Sequence, residues 1–446
     1  MIILGIETSC DETALSLIEI SDSSDAPSFE VKVLANQVLS QIELHKQYGG
    51  VFPNLAKREH GKNLVPLLKT VLKESGFFRL KVESEKLKGK EKLEAILERE
   101  QELSEQFLKF IPTVEKPPID LIAVTAGPGL EPALWVGINF AKALSYVWNI
   151  PVVPTNHMEG HILVSLMKRN KEFSILPPSW TSQSSAIFQF SKRVTQNVEK
   201  SSSLHATRYT LDKPSFPALA LLISGGHTEL VLMKSWGKYE IVGKTRDDAI
   251  GEAFDKVARV LGLPYPGGPQ ISALAEIART NADQTQTDAE KIKLPRPMIK
   301  SDNLDFSFSG LKTAVLYLVQ KLTQTDSVSV GEGRRPVSLS LRLQSLIARE
   351  FEDAVTEVIV GKAKKAIDLY GIKTLILGGG VVANKNIRTA FETVSAEEGV
   401  ALKLPSINHA TDNALMIALA GYANKTKAQT ESTGLLDLKA DGNLHF

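Results

Sequence analysis

The 446-residue chain has a single cysteine, Cys10. No intrachain disulfide framework and no cysteine-based zinc module can be built from it, and one thiol fits a reducing compartment. Charge of one sign is equally scarce. With 52 Lys and Arg against 51 Asp and Glu the formal balance is +1, so no global field draws the chain to nucleic acid or a membrane. An RNA partner would have to meet a local basic patch. No apolar run approaches the roughly 20 residues that span a bilayer. The opening "MIILGIETS" reads as a strand, with neither an Arg-rich amphipathic presequence nor an apolar leader core. The expected location is therefore cytoplasmic, or mitochondrial if a presequence has been removed. What remains is globular: 43% hydrophobic and 7% aromatic, long enough for two or three domains.

Residues 2–20, "IILGIETSCDETALSLIEI", read as an apolar strand, a turn crowded with hydroxyls and carboxylates, and an alternating strand. Residues 218–233, "ALALLISGGHTELVLM", repeat that design around a Ser-Gly-Gly-His-Thr turn. Two such units, each opening a long half-chain, suggest a duplicated α/β architecture around a shared cleft, although chance hairpins would look the same. Two further strands, "DLIAVTAGPGL" (120–130) and "KTLILGGGVVANKNIRTAFETV" (373–394), run into glycine turns and then helices, a way of bringing backbone N–H groups near a phosphate. Tight turns need glycine without any ligand, so neither is specific alone. The expected division is a first lobe over 1–150, joined by the C-terminal helix, and a second over 151–446. Three stretches read as insertions: a Lys/Glu-rich helical one at 79–116 with its 82–110 segment outside the core, a Ser-rich irregular one at 169–215, and a loop at 324–337.

The chemistry concentrates at "NHMEGHILVSL" (156–166), where His157 and His161 stand four apart in a chain with eight histidines. After Pro154, with Thr155 or Asn156 as cap, the spacing predicts a helix that turns both imidazoles to one face, where they can converge on an ion. In a zinc-peptidase helix the glutamate follows the first histidine. Here Glu159 comes two residues on, about 200° around the helix, pointing away from any shared ion. Gly160 gives up helix propensity beside His161, which suggests a close neighbour. Asp412, in "LPSINHATDNALMIALAGY" (404–422), offers a carboxylate to complete a His-His-acid set, with a helix-capping role equally open. Glu7, Asp11 and Glu12 crowd the first turn with Thr8, Ser9 and Thr13, for function or as ordinary turn chemistry.

Taken in order, "GIETSCDET", "YGGVFPNLAKREH", "TAGPGL", "NHMEGH", "LLISGGHTELV", "DDAIGEAFDKVARVLGLPYPGGP", "FSFSGLKTAV", "LGGGVVANKNIR" and "ATDNALMIA" span nearly the whole chain outside the insertions. This series resembles the tRNA N6-adenosine threonylcarbamoyltransferases, formerly called O-sialoglycoprotein endopeptidases. The resemblance implies a duplicated, actin-like or Hsp70-like α/β ATPase fold with two lobes and a cleft between them. It implies one divalent metal per chain on His157, His161 and Asp412, Fe(2+) before Zn(2+). Substrate or nucleotide contacts carry over onto Leu222, Ile223, Ser224, Gly225, Gly226, Asp255, Gly268 and Asn384. For that chemistry Asp11 and Glu12, on the first hairpin turn, are the candidate catalytic carboxylates, placed to order the acceptor or a phosphate-linked ion, with the general-base role left open. The family often has Cys where Ala410 stands before the "TDN" triplet, a position that is not a ligand. The implied reaction moves a threonylcarbamoyl group from threonylcarbamoyl-AMP to N6 of adenosine 37 in tRNAs reading ANN codons. The implied partners are that tRNA, a paralogous actin-like subunit and a small ATPase subunit, with no membrane. A small-molecule kinase or ATPase of the same fold would have no use for the histidine pair. A noncatalytic subunit of a modification complex would have lost ligands that are all present here.

Overall fold

The computed structural model describes residues 1–21, 28–82, 89–170, 206–281, 292–325 and 339–446. The strands are β1 (Ile2–Glu7), β2 (Glu12–Ser21), β3 (Ser28–Ser40), β4 (Leu121–Gly127), β5 (Val152–Asn156), β6 (Met167–Arg169), β7 (Thr207–Asp212), β8 (Ala218–Ile223), β9 (Thr228–Ser235), β10 (Lys238–Lys244), β11 (Thr374–Gly378) and β12 (Ala401–Lys403). The helices used below are α1 (Ile42–His45), α2 (Pro53–Glu74), α3 (Lys90–Ile96), α4 (Gln101–Phe110), α5 (Glu131–Trp148), α6 (His157–Ser165), α7 (Ile250–Val260), α8 (Gly267–Thr280), α9 (Ser309–Thr325), α10 (Leu341–Tyr370), α11 (Lys385–Glu398), α12 (Ile407–Ala410) and α13 (Ala414–Ala423).

The two sheets repeat one wiring. In the first, β1, β2 and β3 form an antiparallel meander and β4 then β5 add in parallel on the free side of β1, giving the order β5-β4-β1-β2-β3-β7-β6. In the second, β8, β9 and β10 are the meander and β11 then β12 add in parallel beside β8. Chance hairpins would not share the later parallel strands as well, so this is the duplicated two-lobed α/β arrangement the sequence led us to expect. The first sheet continues past residue 150 through β5, β6 and β7.

Alternation along the strands assigns the layers. Leu4, Ile6, Leu15 and Leu17 face a core shared with α2 and α5, whereas Leu219, Leu221 and Ile223 face one shared with α7, α8 and α10. The opposite faces of both sheets, including Ile3, Ile18, Ala220 and Leu222, enclose a third core with Ile162 and Leu163 of α6 and Leu415 to Ala420 of α13. Helix α13 is apolar all round because it is covered on every side. The two helices at this seam are packed through small residues. A Cβ at Gly160 would lie 3.0 Å from Met416 Cγ and 3.2 Å from Met416 O, so the close neighbour inferred at that glycine is α13.

One expectation is corrected here. Of the segment 82–110, expected outside the core, the described residues 89–110 are part of it: Leu93, Leu97, Leu103 and Phe107 are fully buried, and Phe107 meets Phe140 of α5 edge-on at 6.0 Å. Its high charge sits on one face, and the few apolar residues at helical spacing suffice to seal the other. In the stretch read as irregular, Thr207–Asp212 is strand β7, paired with β3 through six residues. Residues 171–205 and 326–338, which include most of the other two proposed insertions, lie outside the described residues.

Candidate metal and acyl-transfer site

Helix α6 starts where the chain leaves β5, because Asn156 accepts from Met158 N at 2.8 Å and Glu159 N at 3.3 Å and so caps it. That cap fixes the first turn and sets His157 and His161 on one face, with ring centroids 4.8 Å apart. Asp412 comes from the turn between α12 and α13. Its Oδ1 lies 3.3 Å from His157 Nε2 and 3.1 Å from His161 Nε2. Asp412 is not a helix cap: Asn413 performs that role by accepting from Met416 N at 3.1 Å. Both imidazoles are buried and the Asp412 side chain is one-fifth exposed, so the cluster opens on the carboxylate side.

Behind this trio stands Glu7, which sequence reasoning had left among turn residues. It is fully buried at the end of β1. Oε2 lies 3.0 Å from His157 Nδ1 and accepts from Thr125 Oγ1 at 2.7 Å, while Oε1 accepts from Ser9 N at 2.5 Å. A carboxylate facing Nδ1 keeps the proton on that nitrogen, so Nε2, which faces Asp412, is the atom that can ligate a metal once its own proton is displaced. Burial alone would lower His157, but Asp412 and Glu7 raise it well above its ordinary value. Burial would raise Asp412 and Glu7, and His157 more than offsets this in both, with His161 adding to the effect on Asp412. Burial also lowers His161, whose Nδ1 has no hydrogen-bond partner among the described residues. The three donor atoms lie within 4.8 Å of one another, and two neutral imidazoles with one ionised carboxylate can hold a divalent metal.

Glu159 is turned away from the trio. It accepts from Tyr239 Oη at 3.0 Å and from Asn424 Nδ2 at 2.7 Å, tying α6 to β10 and to the end of α13. The position opposite the histidines follows from the helical phase, and no carboxylate occupies the place of a peptidase base on this helix.

Asp11 ends the β1–β2 turn and Glu12 opens β2, both close enough to the trio to feel the charge of Asp412. Burial pushes both carboxyls up, Glu12 strongly, and the negative field of Asp412 reinforces this. The Ser224-Gly225-Gly226 turn at the end of β8 is held by Ser224 N donating to His227 O at 2.9 Å, and it abuts the start of α7 through Gly251 N donating to Ser224 O at 3.2 Å. Space beside Gly225, Gly226 and Gly268 is open, whereas Leu222 and Ile223 are buried in β8. Asp255 accepts from Gly267 N at 2.6 Å and lines a pocket of about 180 Å³ with Lys46, Gly49, Arg259 and Tyr265. Asn384 caps α11 and donates to Ser272 Oγ at 2.8 Å and to buried Glu352 at 2.5 Å, with Glu352 held in turn by Arg279. The structure thus joins His157, His161 and Asp412 directly, sets Asp11 and Glu12 beside them, and leaves Asp255, Gly268 and Asn384 on the second lobe. The Gly-Pro-Gly turn departs from the phosphate reading. Gly129 N donates to Gly442 O and Leu130 N to Ser9 O, so its N–H groups are spent within the chain.

Among the described residues no helix is long and apolar enough to cross a membrane. A family model described as tRNA N6-adenosine threonylcarbamoyltransferase matches residues 32–83, 98–180 and 200–419. Relatives bearing that name include one from Chromobacterium violaceum, 37% identical over 421 residues and covering 94% of this chain and 92% of its own. Others from Ralstonia pickettii and Bacillus cereus are 35% and 36% identical, each covering 94% of this chain and 90% of the relative.

Proposed function

Because the chain belongs to the tRNA N6-adenosine threonylcarbamoyltransferase family, we propose that its interlobe seam transfers threonylcarbamoyl from threonylcarbamoyl-AMP to N6 of adenosine 37 in ANN-reading tRNAs, releasing AMP. The observation that carries this reading is the Glu7-oriented His157 converging with His161 and Asp412 beside two carboxyls of raised pKa. The donor is a mixed anhydride with a good leaving group, so the protein's task is to position a weak amine nucleophile and manage its proton. Fe(2+) suits two imidazoles and one carboxylate with open positions, Zn(2+) is the second choice, and either supplies Lewis-acid polarisation of the transferring carbonyl when bound.

The chain's own residues do the rest. The Ser224-Gly225-Gly226 turn, lying against the α7 N-terminus, binds the AMP phosphate, and Asp255 and Asn384 hydrogen-bond ribose or purine from the second lobe. Attack of N6 on the carbonyl carbon forms the new C–N bond, the C–O bond to AMP breaks, and the N6 proton must leave. Asp11 and Glu12 are the candidate acceptors: burial raises their basicity, which favours taking a proton once one of them is ionised. The paralogous actin-like subunit and the small ATPase subunit belong to this same reading as partners.

The test is paired. His157→Ala and Asp412→Ala should each lose stoichiometric metal and threonylcarbamoyl transfer while keeping a cooperative thermal unfolding transition. Full metal occupancy in either folded variant would remove that residue from the ligand set.

A further inference from the structure

The segment between β3 and α2 forms a braced rim of the cleft. At its root Gln41 N donates to Asp11 O at 2.9 Å, and near its tip Arg259 Nη2 of α7 donates to Gly49 O at 2.5 Å. Phe52 N donates to the buried ring of His45 at 3.2 Å, closing the loop on itself. On this frame Tyr48 and Phe52 stand outward, 57% and 49% exposed, with ring centroids 5.6 Å apart and planes inclined by only 24°. Two aromatic rings stacked on one another in water contribute little to folding, since burial is what makes such rings stabilising.

Their segment carries a formal excess of two positive charges in a chain whose overall charge is near zero. Residues 42–62 carry Lys46, Lys57, Arg58 and Lys62 against Glu43 and Glu59. Lys46 is paired with Glu43, Lys62 with Glu59 and Lys57 with Glu100 at 3.6 Å, which leaves Arg58, 63% exposed with a 3.6 Å contact to Glu59, as the most available cation of the segment. The pocket shared by Lys46, Gly49, Asp255 and Tyr265 lies under the same rim, and Tyr265 feels the charge of Asp11. An exposed aromatic pair beside cations, at the edge of a cleft holding carboxylates, matches an unpaired nucleic acid strand, whose bases offer π-faces and whose phosphates offer negative charge. N6 of an adenine can be reached only once the base leaves its stack, and its neighbour then needs a replacement surface.

We propose that Tyr48 and Phe52 are a stacking platform for an unpaired anticodon-loop base adjoining the acceptor adenosine, with Arg58 and Arg259 beside its phosphates. This rests on the transferase reading given above. Exposed Val38, Leu39 and Leu44 nearby make a protein-contact surface the competing use of this face.

The experiment titrates an anticodon stem-loop carrying 2-aminopurine next to the acceptor adenosine into the full-length chain, and into Tyr48→Ala, Phe52→Ala, the double variant and the conservative Tyr48→Phe. Both rings are exposed, so the variants should keep the parent's melting temperature. The platform predicts quenched fluorescence with the parent and with Tyr48→Phe. It also predicts a Kd raised about 5- to 100-fold by each ring removed, and a KM for the stem-loop that rises while that for threonylcarbamoyl-AMP does not. Parent-like Kd and quenching in the double variant would overturn it, as would loss of association with a protein subunit at unchanged RNA affinity. If the parent, supplied with threonylcarbamoyl-AMP and the candidate partner subunits, neither binds nor modifies the stem-loop, the transferase reading fails and the platform with it.

Discussion

Replacing Glu7 by glutamine tests the second layer of the metal site. The substitution keeps size and shape but exchanges one acceptor oxygen for an NH2 donor. Ser9 N at 2.5 Å needs an acceptor at the Oε1 position, so the amide group must point the other way, toward Thr125 Oγ1 and His157 Nδ1. Thr125 can rotate its hydroxyl to accept. His157 Nδ1 then faces a donor, with Ser9 Oγ at 3.2 Å as its other neighbour, and accepting that donor moves the ring proton to Nε2, the atom a metal needs. Losing an orienting carboxylate behind a ligating histidine typically costs about 10- to 100-fold in metal affinity, or roughly 1.4 to 2.7 kcal/mol. Chelator competition with Fe(2+) and Zn(2+) on parent and Glu7→Gln gives the affinity ratio, and 15N shifts of His157 in the zinc-bound protein show which ring nitrogen keeps its proton. Equal affinities, or a zinc-bound parent whose His157 carries no proton at Nδ1, would refute the argument that Glu7 orients this ligand.

Phe107→Ala should lower stability by about 3 to 5 kcal/mol, read as a fall in melting temperature, because Phe107 is fully buried against Phe140. A change below 1 kcal/mol would return residues 89–110 to the periphery. Glu159→Gln should leave the metal bound and retain most transfer, since the side chain serves Tyr239 and Asn424; metal-dependent proteolysis abolished by this change would revive the peptidase reading. Burial lowers His60 from 6.5 to about 4, with its ring held between Thr13 Oγ1 and Cys10 O. The unfolded chain then binds the extra proton first as pH falls, so stability is lost between about pH 6.5 and pH 4, by up to about 3 kcal/mol for this group. Urea unfolding at pH 7.5 and pH 5 should show a smaller difference for His60→Gln than for the parent, and an unchanged difference would count against the assignment.

Much of the site was legible because its signals are local in phase. The i, i+4 spacing of His157 and His161 and the offset of Glu159 are consequences of helical geometry, and the cap at Asn156 fixes where that phase begins. Asp412 was legible only as a candidate, since nothing in residues 404–422 distinguishes a ligand from a cap until the tertiary fold brings α13 against α6. Glu7 was visible in a crowded turn but not as a partner of His157, because that contact joins residues 150 positions apart. The same limit explains the core. Repeated strand-turn-strand units gave the duplication, whereas the burial of Leu103 and Phe107 depends on α2 and α5 offering a surface to an otherwise charged helix. The stacked Tyr48 and Phe52 left no periodic signal at all, being four residues apart across a Gly-Gly turn rather than on one helix.

The most direct measurement supplies the purified chain with metal, an unmodified ANN-reading tRNA, threonylcarbamoyl-AMP and the candidate partner subunits, and then quantifies nucleosides after digestion of the tRNA. Parent protein should give threonylcarbamoyladenosine at position 37, and Asp412→Ala none, with both folded. Absence of the modified nucleoside with the parent under every partner combination, or its equal formation by Asp412→Ala, would contradict the account.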